Sequence, residues 1–240
     1  MKATVTLSAN AGVMLEYAGT KILVDIIHND NVPTFSSVPL DLCRSIISDG
    51  AFSNADMLLI SHDHPDHFSR TLVNDYLKNN KSTAAAAPFR FTERQFVFSG
   101  VSGKFRMKNF SMEYYKTPHE KRKVYSDSKH YSFVLTINDK RFLFFNDMSI
   151  EPDYIELLVK NNVKADAAFV NFPWFTLKYG RKYLKEYLNA DNIIIYHLPI
   201  PNEDEFGYNA ALTKTLGSFS IDGANIFVLN TPLQKAEFDL

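Results

Sequence analysis

The chain has 240 residues, 45% of them apolar and 22% charged, enough to bury a large core. Its formal net charge of −1 supplies no general attraction to nucleic acid or acidic membrane surfaces, and no apolar run approaches the length of a membrane span. The lone Cys43 rules out an internal disulfide and suits a reducing compartment. The N-terminus alternates like a strand and lacks a secretion signal's apolar stretch, so the cytoplasm is the expected location.

Residues 3–7, 13–17 and 21–26 read as short strands, punctuated by turns at Gly12 and Ala18-Gly19-Thr20. Residues 29–54 carry Pro33, Pro39, several Ser and Asn and a helical run over 40–47, a loop plus one helix. Met57-Leu58-Leu59-Ile60 is a β-leaning apolar run, and after it Leu72, Val73, Tyr76 and Leu77 repeat at helical spacing over 69–79. Residues 82–87 form a small-residue strand or turn. Residues 89–98 are expected to be helical, with Phe89, Glu93 and Phe96 on one face, and 101–116 alternates as strand. Asn138-Asp139 is a hairpin signal between strands over 130–137 and 141–145. Glu151-Pro152-Asp153 opens a helix with acid at the positive end of its dipole. There follow a strand over 165–172, a helix over 179–188, a buried strand over 192–197, a helix near 210–216 and a closing strand over 225–229. No repeat, linker or low-complexity tract interrupts the chain, so a single domain over 1–240 is expected.

The chemistry concentrates in Ser61-His62-Asp63-His64-Pro65-Asp66-His67-Phe68. Imidazole and carboxylate are the side chains that hold zinc and similar cations at neutral pH. His62 and His64, two apart on extended chain, point to one side. Pro65 then turns the chain, so that Asp66 and His67 face a neighbouring position. One segment thus offers two ligands to each of two adjacent metals. A chance cluster of histidines in a polar loop is the alternative, but so many packed polar groups are hard to satisfy without a cation.

These residues match the H-x-H-x-D-H motif of the metallo-β-lactamase superfamily, and the chain resembles that family. Around His119 it is more similar to the compact branch containing ascorbate-6-phosphate lactonase than to the glyoxalase or true lactamase branches. The resemblance implies an α/β fold, a four-layer αββα sandwich with the metals at one edge of the two sheets. It implies that His62, His64 and His119 hold one ion, that Asp66, His67 and His197 hold the other, and that Asp147 bridges them. Asn146 stands where the family commonly has Gly, but Asn tolerates left-handed backbone well. Asp25, just past a strand, is implied to orient a histidine ligand. The loop over 29–54 is implied to cover the site.

The implied cofactors are two divalent ions, zinc first, with iron or manganese also suited to such ligands. A bound water with pKa lowered to about 7 then supplies hydroxide, and Asp66 is the candidate proton shuttle. Lys121, Arg122 and Lys123, one loop from His119, suggest an anionic small-molecule substrate. His28 reads as a surface-loop residue and His130 as packed or exposed. Trp174 and Phe175 read as core rather than pocket wall. The expected function is hydrolysis of a lactone, ester or amide. A phosphodiesterase or nuclease of the same fold is disfavoured by the near-neutral charge, and a non-catalytic metal-binding chain is the third alternative. A homo-oligomer is compatible with all three.

Overall fold

The computed structural model describes residues 1–29, 34–48, 50–120, 128–159 and 163–240. The first part of the chain runs β1 (Lys2–Leu7), β2 (Val13–Tyr17), β3 (Thr20–Val24), α1 (Leu40–Ile47), β4 (Met57–Leu59), α2 (Arg70–Asn79), β5 (Ala84–Ala87) and β6 (Gln95–Val97). Next come β7 (Ser102–Arg106), β8 (Phe110–Lys116), β9 (Tyr131–Ile137), β10 (Lys140–Phe144), α3 (Pro152–Val159) and β11 (Ala165–Asn171). The chain closes with α4 (Pro173–Thr176), α5 (Lys178–Tyr187), β12 (Ala190–Tyr196), α6 (Tyr208–Leu216), β13 (Asn225–Val228) and β14 (Lys235–Asp239).

The strands form two seven-stranded sheets, ordered β14-β1-β2-β3-β4-β5-β6 and β13-β12-β11-β10-β9-β8-β7. In the first, β14, β1, β2 and β3 pair antiparallel, while β3 through β6 run parallel. The second likewise joins an antiparallel set, β7 to β10, to a parallel set, β10 to β13. The period of two along each strand sorts its residues between layers. Phe142, Phe144, Phe169, Ile194 and Tyr196 pack between the sheets against Val5, Leu15, Val24 and Leu59. Their neighbours Leu143, Phe145, Ile193 and Ile195 face outward onto Ile155, Leu158, Trp174, Leu184 and Leu212 of the helices. On the other outer face, Leu23, Leu58 and Ile60 meet Ile46, Val73 and Tyr76 of α1 and α2. The result is the αββα sandwich.

Two expectations need correction. Residues 89–98 are not helical: they form a tight loop and then β6, which pairs parallel with β5. Gln95 explains the loop. Its Oε1 accepts the N–H groups of Phe91 and Thr92 at 2.7 and 2.8 Å, and its Nε2 donates to the Phe89 carbonyl at 2.8 Å. A side chain that satisfies three backbone groups removes the need for a helical ladder. The phenylalanines at 89, 91, 96 and 98 then follow strand and loop spacing, with Phe89 and Phe91 against Phe68 and Phe98 stacked on Tyr114. The second correction is β14, a further strand beyond β13. It alternates Lys235, Glu237 and Asp239 outward with buried Ala236 and Phe238, an edge strand guarded by charge.

Candidate metal centre

Sequence-expected site residues collect where the parallel strands end, the usual position for sites in α/β sheets. Asp25 follows β3, His62 to His67 follow β4, Asp147 follows β10 and His197 follows β12. Three of these ends carry left-handed backbone on residues other than glycine: Asp25 (φ 49°), Asn146 (φ 51°) and His197 (φ 63°). Such conformations cost free energy and persist where surroundings over-determine them. At Asn146 the surroundings are explicit: its Nδ2 donates to the Tyr131 carbonyl at 2.9 Å, and the Tyr196 hydroxyl donates to its Oδ1 at 3.3 Å.

Asp25 organises the histidines. Its Oδ1 accepts the Ser61 N–H at 2.8 Å, and its Oδ2 accepts the Ser61 hydroxyl at 2.6 Å and lies 2.9 Å from His67 Nδ1. Because the Ser61 proton goes to Asp25, His62 Nδ1, 2.8 Å from Ser61 Oγ, is the donor in that pair. Both His62 and His67 therefore carry a proton on Nδ1 and aim Nε2 inward. The turn between them is closed by the N–H groups of His67 and Phe68 on the His64 carbonyl at 3.0 and 2.9 Å.

His119 arrives from the loop after β8, stapled to the loop after β10 by Glu120 N–H on the Asp147 carbonyl (2.9 Å) and Ser149 N–H on the Pro118 carbonyl (2.8 Å). His119 Nδ1 donates to the Glu120 carbonyl at 2.8 Å, which turns the lone pair of Nε2 toward the centre. The structure brings His62, His64 and His119 together as one potential metal-holding group and Asp66, His67 and His197 as another, with Asp25, His62 and His67 a third combination. His62 Nε2 lies 2.9 Å from His64 Nδ1, and His67 Nε2 lies 3.0 Å from His197 Nε2. Asp66 Oδ2 is 3.8 Å from His67 and 3.7 Å from His197. Asp147 sits between the groups, its carboxylate oxygens 3.2 Å from His119, 3.3 Å from His67 and 3.2 Å from His197.

The donor set fits cations. His119 Nε2 is buried without a hydrogen-bond partner among the described residues and faces the Asp147 carboxylate. Nitrogen lone pairs packed against one another and against carboxylates are costly unless a proton or metal lies among them. In the bare protein, burial drives His62 well below its ordinary pKa, helped by neighbouring His67. Burial and the nearby His119 push His64 to about 4. Burial also pulls on His67, but Asp147 and Asp66 outweigh it and hold the ring well above its usual range. His119 is raised in the same way, burial being overcome by its contact with Asp147. Burial works against ionised Asp147 and Asp66, but His197 and His67 hold Asp147 well below the usual carboxylate range, and His67 with His197 lowers Asp66.

Two roles escape a reading of the sequence. Ser61 links Asp25 to His62, as described. His130, packed and 1% exposed, accepts the Asp147 N–H on Nε2 at 3.0 Å and meets Thr117 Oγ1 through Nδ1 at 2.9 Å. Burial and the nearby His119 push it to about 3, so it is a neutral ring that holds the Asp147 backbone. His28 is a correction: it is fully buried rather than on a surface loop, and burial with the nearby His67 lowers it to about 4. Lys121, Arg122 and Lys123 lie outside the described residues.

A cavity of about 330 Å³ opens onto the centre. Phe35, from the loop expected to cover the site, lines it and sets its ring edge-on to His197 at 4.4 Å. Phe172, Pro173 and Leu177 form a further wall. Trp174 and Phe175 are packed in the core, the indole edge-on to Phe145 at 5.2 Å.

Several solved structures share the fold. Igni18, a metallo hydrolase from Ignicoccus hospitalis KIN4/I, superposes with a TM-score of 0.66 over 100% of both chains at 14% identity. The metallo-beta-lactamase fold protein YhfI from Bacillus subtilis gives 0.66 over 99% of each chain, also at 14% identity. Isothiocyanate hydrolase from Delia radicum gut bacteria gives 0.67 over 99% of each at 16% identity. No curated protein matches the chain in sequence. Residues 4–163 match the beta-lactamase superfamily domain. With that match spanning most of its length and the fold shared from end to end, the chain belongs to the beta-lactamase superfamily, in its metallo-β-lactamase fold.

Proposed function

We propose that this chain is a metal-dependent hydrolase of a small molecule, holding two divalent ions, zinc first, at neighbouring positions. One observation carries the reading: His119, Asp147 and His197, distant in sequence, converge on the turn that presents His62, His64, Asp66 and His67. In this reading His62, His64 and His119 hold one ion, Asp66, His67 and His197 the other, and Asp147 touches both. Bound there, such ions lower the pKa of water and polarise a carbonyl or phosphoryl oxygen.

The protein's own groups do the rest. Asp25 keeps the protons of His67 and, through Ser61, of His62 on the outward nitrogens. His130 fixes the backbone beneath Asp147. Asp66, 6% exposed and ionised beside the cavity, takes a proton from the attacking water and returns it to the leaving group. Phe35, Phe172, Pro173 and Leu177 line the approach to the centre with apolar surface. The single buried Cys43 suits a cytoplasmic enzyme, and the whole chain acts as one domain.

The test is a hydrolysis screen of zinc-, iron- and manganese-loaded protein against lactones, esters, amides and phosphodiesters, with His64→Ala and Asp66→Ala controls. Turnover that needs metal and both side chains supports the reading. Fewer than one ion retained per chain, with no turnover, refutes it.

A further inference from the structure

We infer that the cavity beside the centre receives an apolar group of the substrate, such as a short acyl chain or a single ring. The inference rests on the hydrolase reading and narrows its substrate. One part of the cavity wall is the set of inward imidazoles and carboxylates; most of the rest is Phe35, Phe172, Pro173, Leu177, Ala211 and the ring of Tyr208, with Thr34, Glu120, Asn171 and Thr176 as its polar members. Phe172 and Tyr208 brace each other with ring centroids 4.9 Å apart, so the surface comes from rigid aromatic groups held against α6. A charged group laid against Phe35, Phe172 and Leu177 would lose hydration that their side chains cannot replace.

Asn171 borders the same cavity. Asn171, at the end of β11 and 4% exposed, directs Nδ2 toward Asp147 Oδ1 at 3.4 Å. Its Oδ1 is buried without a partner among the described residues.

The probes are three hydroxamates on zinc-loaded protein, followed by calorimetry: acetohydroxamate, hexanohydroxamate and adipic monohydroxamate. The head group is common, so acetohydroxamate reads the metal and the tail reads the cavity. Each methylene withdrawn from water is worth roughly a fourfold gain, so hexanohydroxamate should bind at least about tenfold tighter than acetohydroxamate. Adipic monohydroxamate should gain nothing. Ala211→Lys, at an exposed helix position on the cavity wall, should reverse that order in favour of the carboxylate tail. Equal binding of hexano- and acetohydroxamate, or a carboxylate tail that binds wild type as well as the apolar one, overturns the inference. Failure of acetohydroxamate to bind in a zinc-dependent way refutes the metal reading alone. The tail is then decided by hexanamide against adipamate in ligand-observed NMR: saturation transfer to hexanamide only supports the inference, and transfer to both or neither overturns it.

Discussion

Replacing Asp25 with Asn tests how the histidines are aimed. The backbone there is left-handed, φ 49°, which Asn tolerates as well as Asp, so the substitution changes hydrogen bonding without new strain. The new carboxamide still accepts the Ser61 N–H through one oxygen, as Asp25 does at 2.8 Å. Its NH₂ group then meets His67 Nδ1, now 2.9 Å from a carboxylate oxygen. Two donors cannot share that contact, so the imidazole shifts its proton to Nε2, the nitrogen that faces His197 at 3.0 Å. A protonated Nε2 has no lone pair for a metal. Loss of such an orienting partner costs about 10- to 100-fold in metal affinity, or ~1.4–2.7 kcal/mol. The loss should fall more heavily on the ion held by Asp66, His67 and His197 than on the one held by His62, His64 and His119, because His62 feels Asp25 only through Ser61. Competition with a chromophoric zinc chelator, resolving tighter and weaker sites, reads this directly. Wild-type affinity at both sites in Asp25→Asn would refute the reasoning, and so would an equal loss at both.

Other outcomes follow from the same geometry. In the bare protein Asp147 and Asp66 raise the hold of His67 on its second proton well above the usual range, and Asp147 raises that of His119. Metal must expel those protons, so affinity should rise with pH through the neutral range by up to about tenfold per pH unit for each proton displaced; calorimetry in buffers of different ionisation enthalpy should show net proton release, and a flat pH profile would contradict it. His130→Ala leaves the buried Asp147 N–H, now bonded at 3.0 Å, without its acceptor, and should cost about 1–3 kcal/mol in urea denaturation of metal-free protein. Gly180→Ala would place a Cβ 2.5 Å from the Trp174 carbonyl oxygen and 2.8 Å from its Cα. Backbone cannot yield as a side chain does, so α4 and α5 should separate at a cost of about 1–3 kcal/mol or more, seen as a lowered Tm; an unchanged Tm would show that the helices repack freely.

What was legible in the sequence was whatever is local. The ligand-rich turn stands out because its residues are contiguous and the apolar strand and periodic helix around it are each encoded within a few residues. Asp25, His119, Asp147 and His197 could be chosen because each ends a recognisable strand or follows one. Ser61 and His130 could not, since their parts in the site are hydrogen bonds to partners fixed only by the fold: Ser61 reaches Asp25 across 36 positions and His130 reaches Asp147 across 17. His28 was misplaced for a related reason, because a histidine just beyond a strand gives no sign that Ala9, Asp66 and His67 will surround its ring. The segment at 89–98 failed because phenylalanines seven apart, 89 with 96 and 91 with 98, fit a helix face as readily as a loop feeding an edge strand, and the deciding feature is the side chain of Gln95. β14 was missed because a five-residue edge strand carries only two buried side chains, Ala236 and Phe238.

The most direct measurement is anomalous diffraction from crystals grown with zinc. The account predicts two peaks, one within bonding distance of His62, His64 and His119, the other of Asp66, His67 and His197, with Asp147 reaching both. Zinc bound elsewhere, or peaks absent from this cluster at full metal loading, would contradict it.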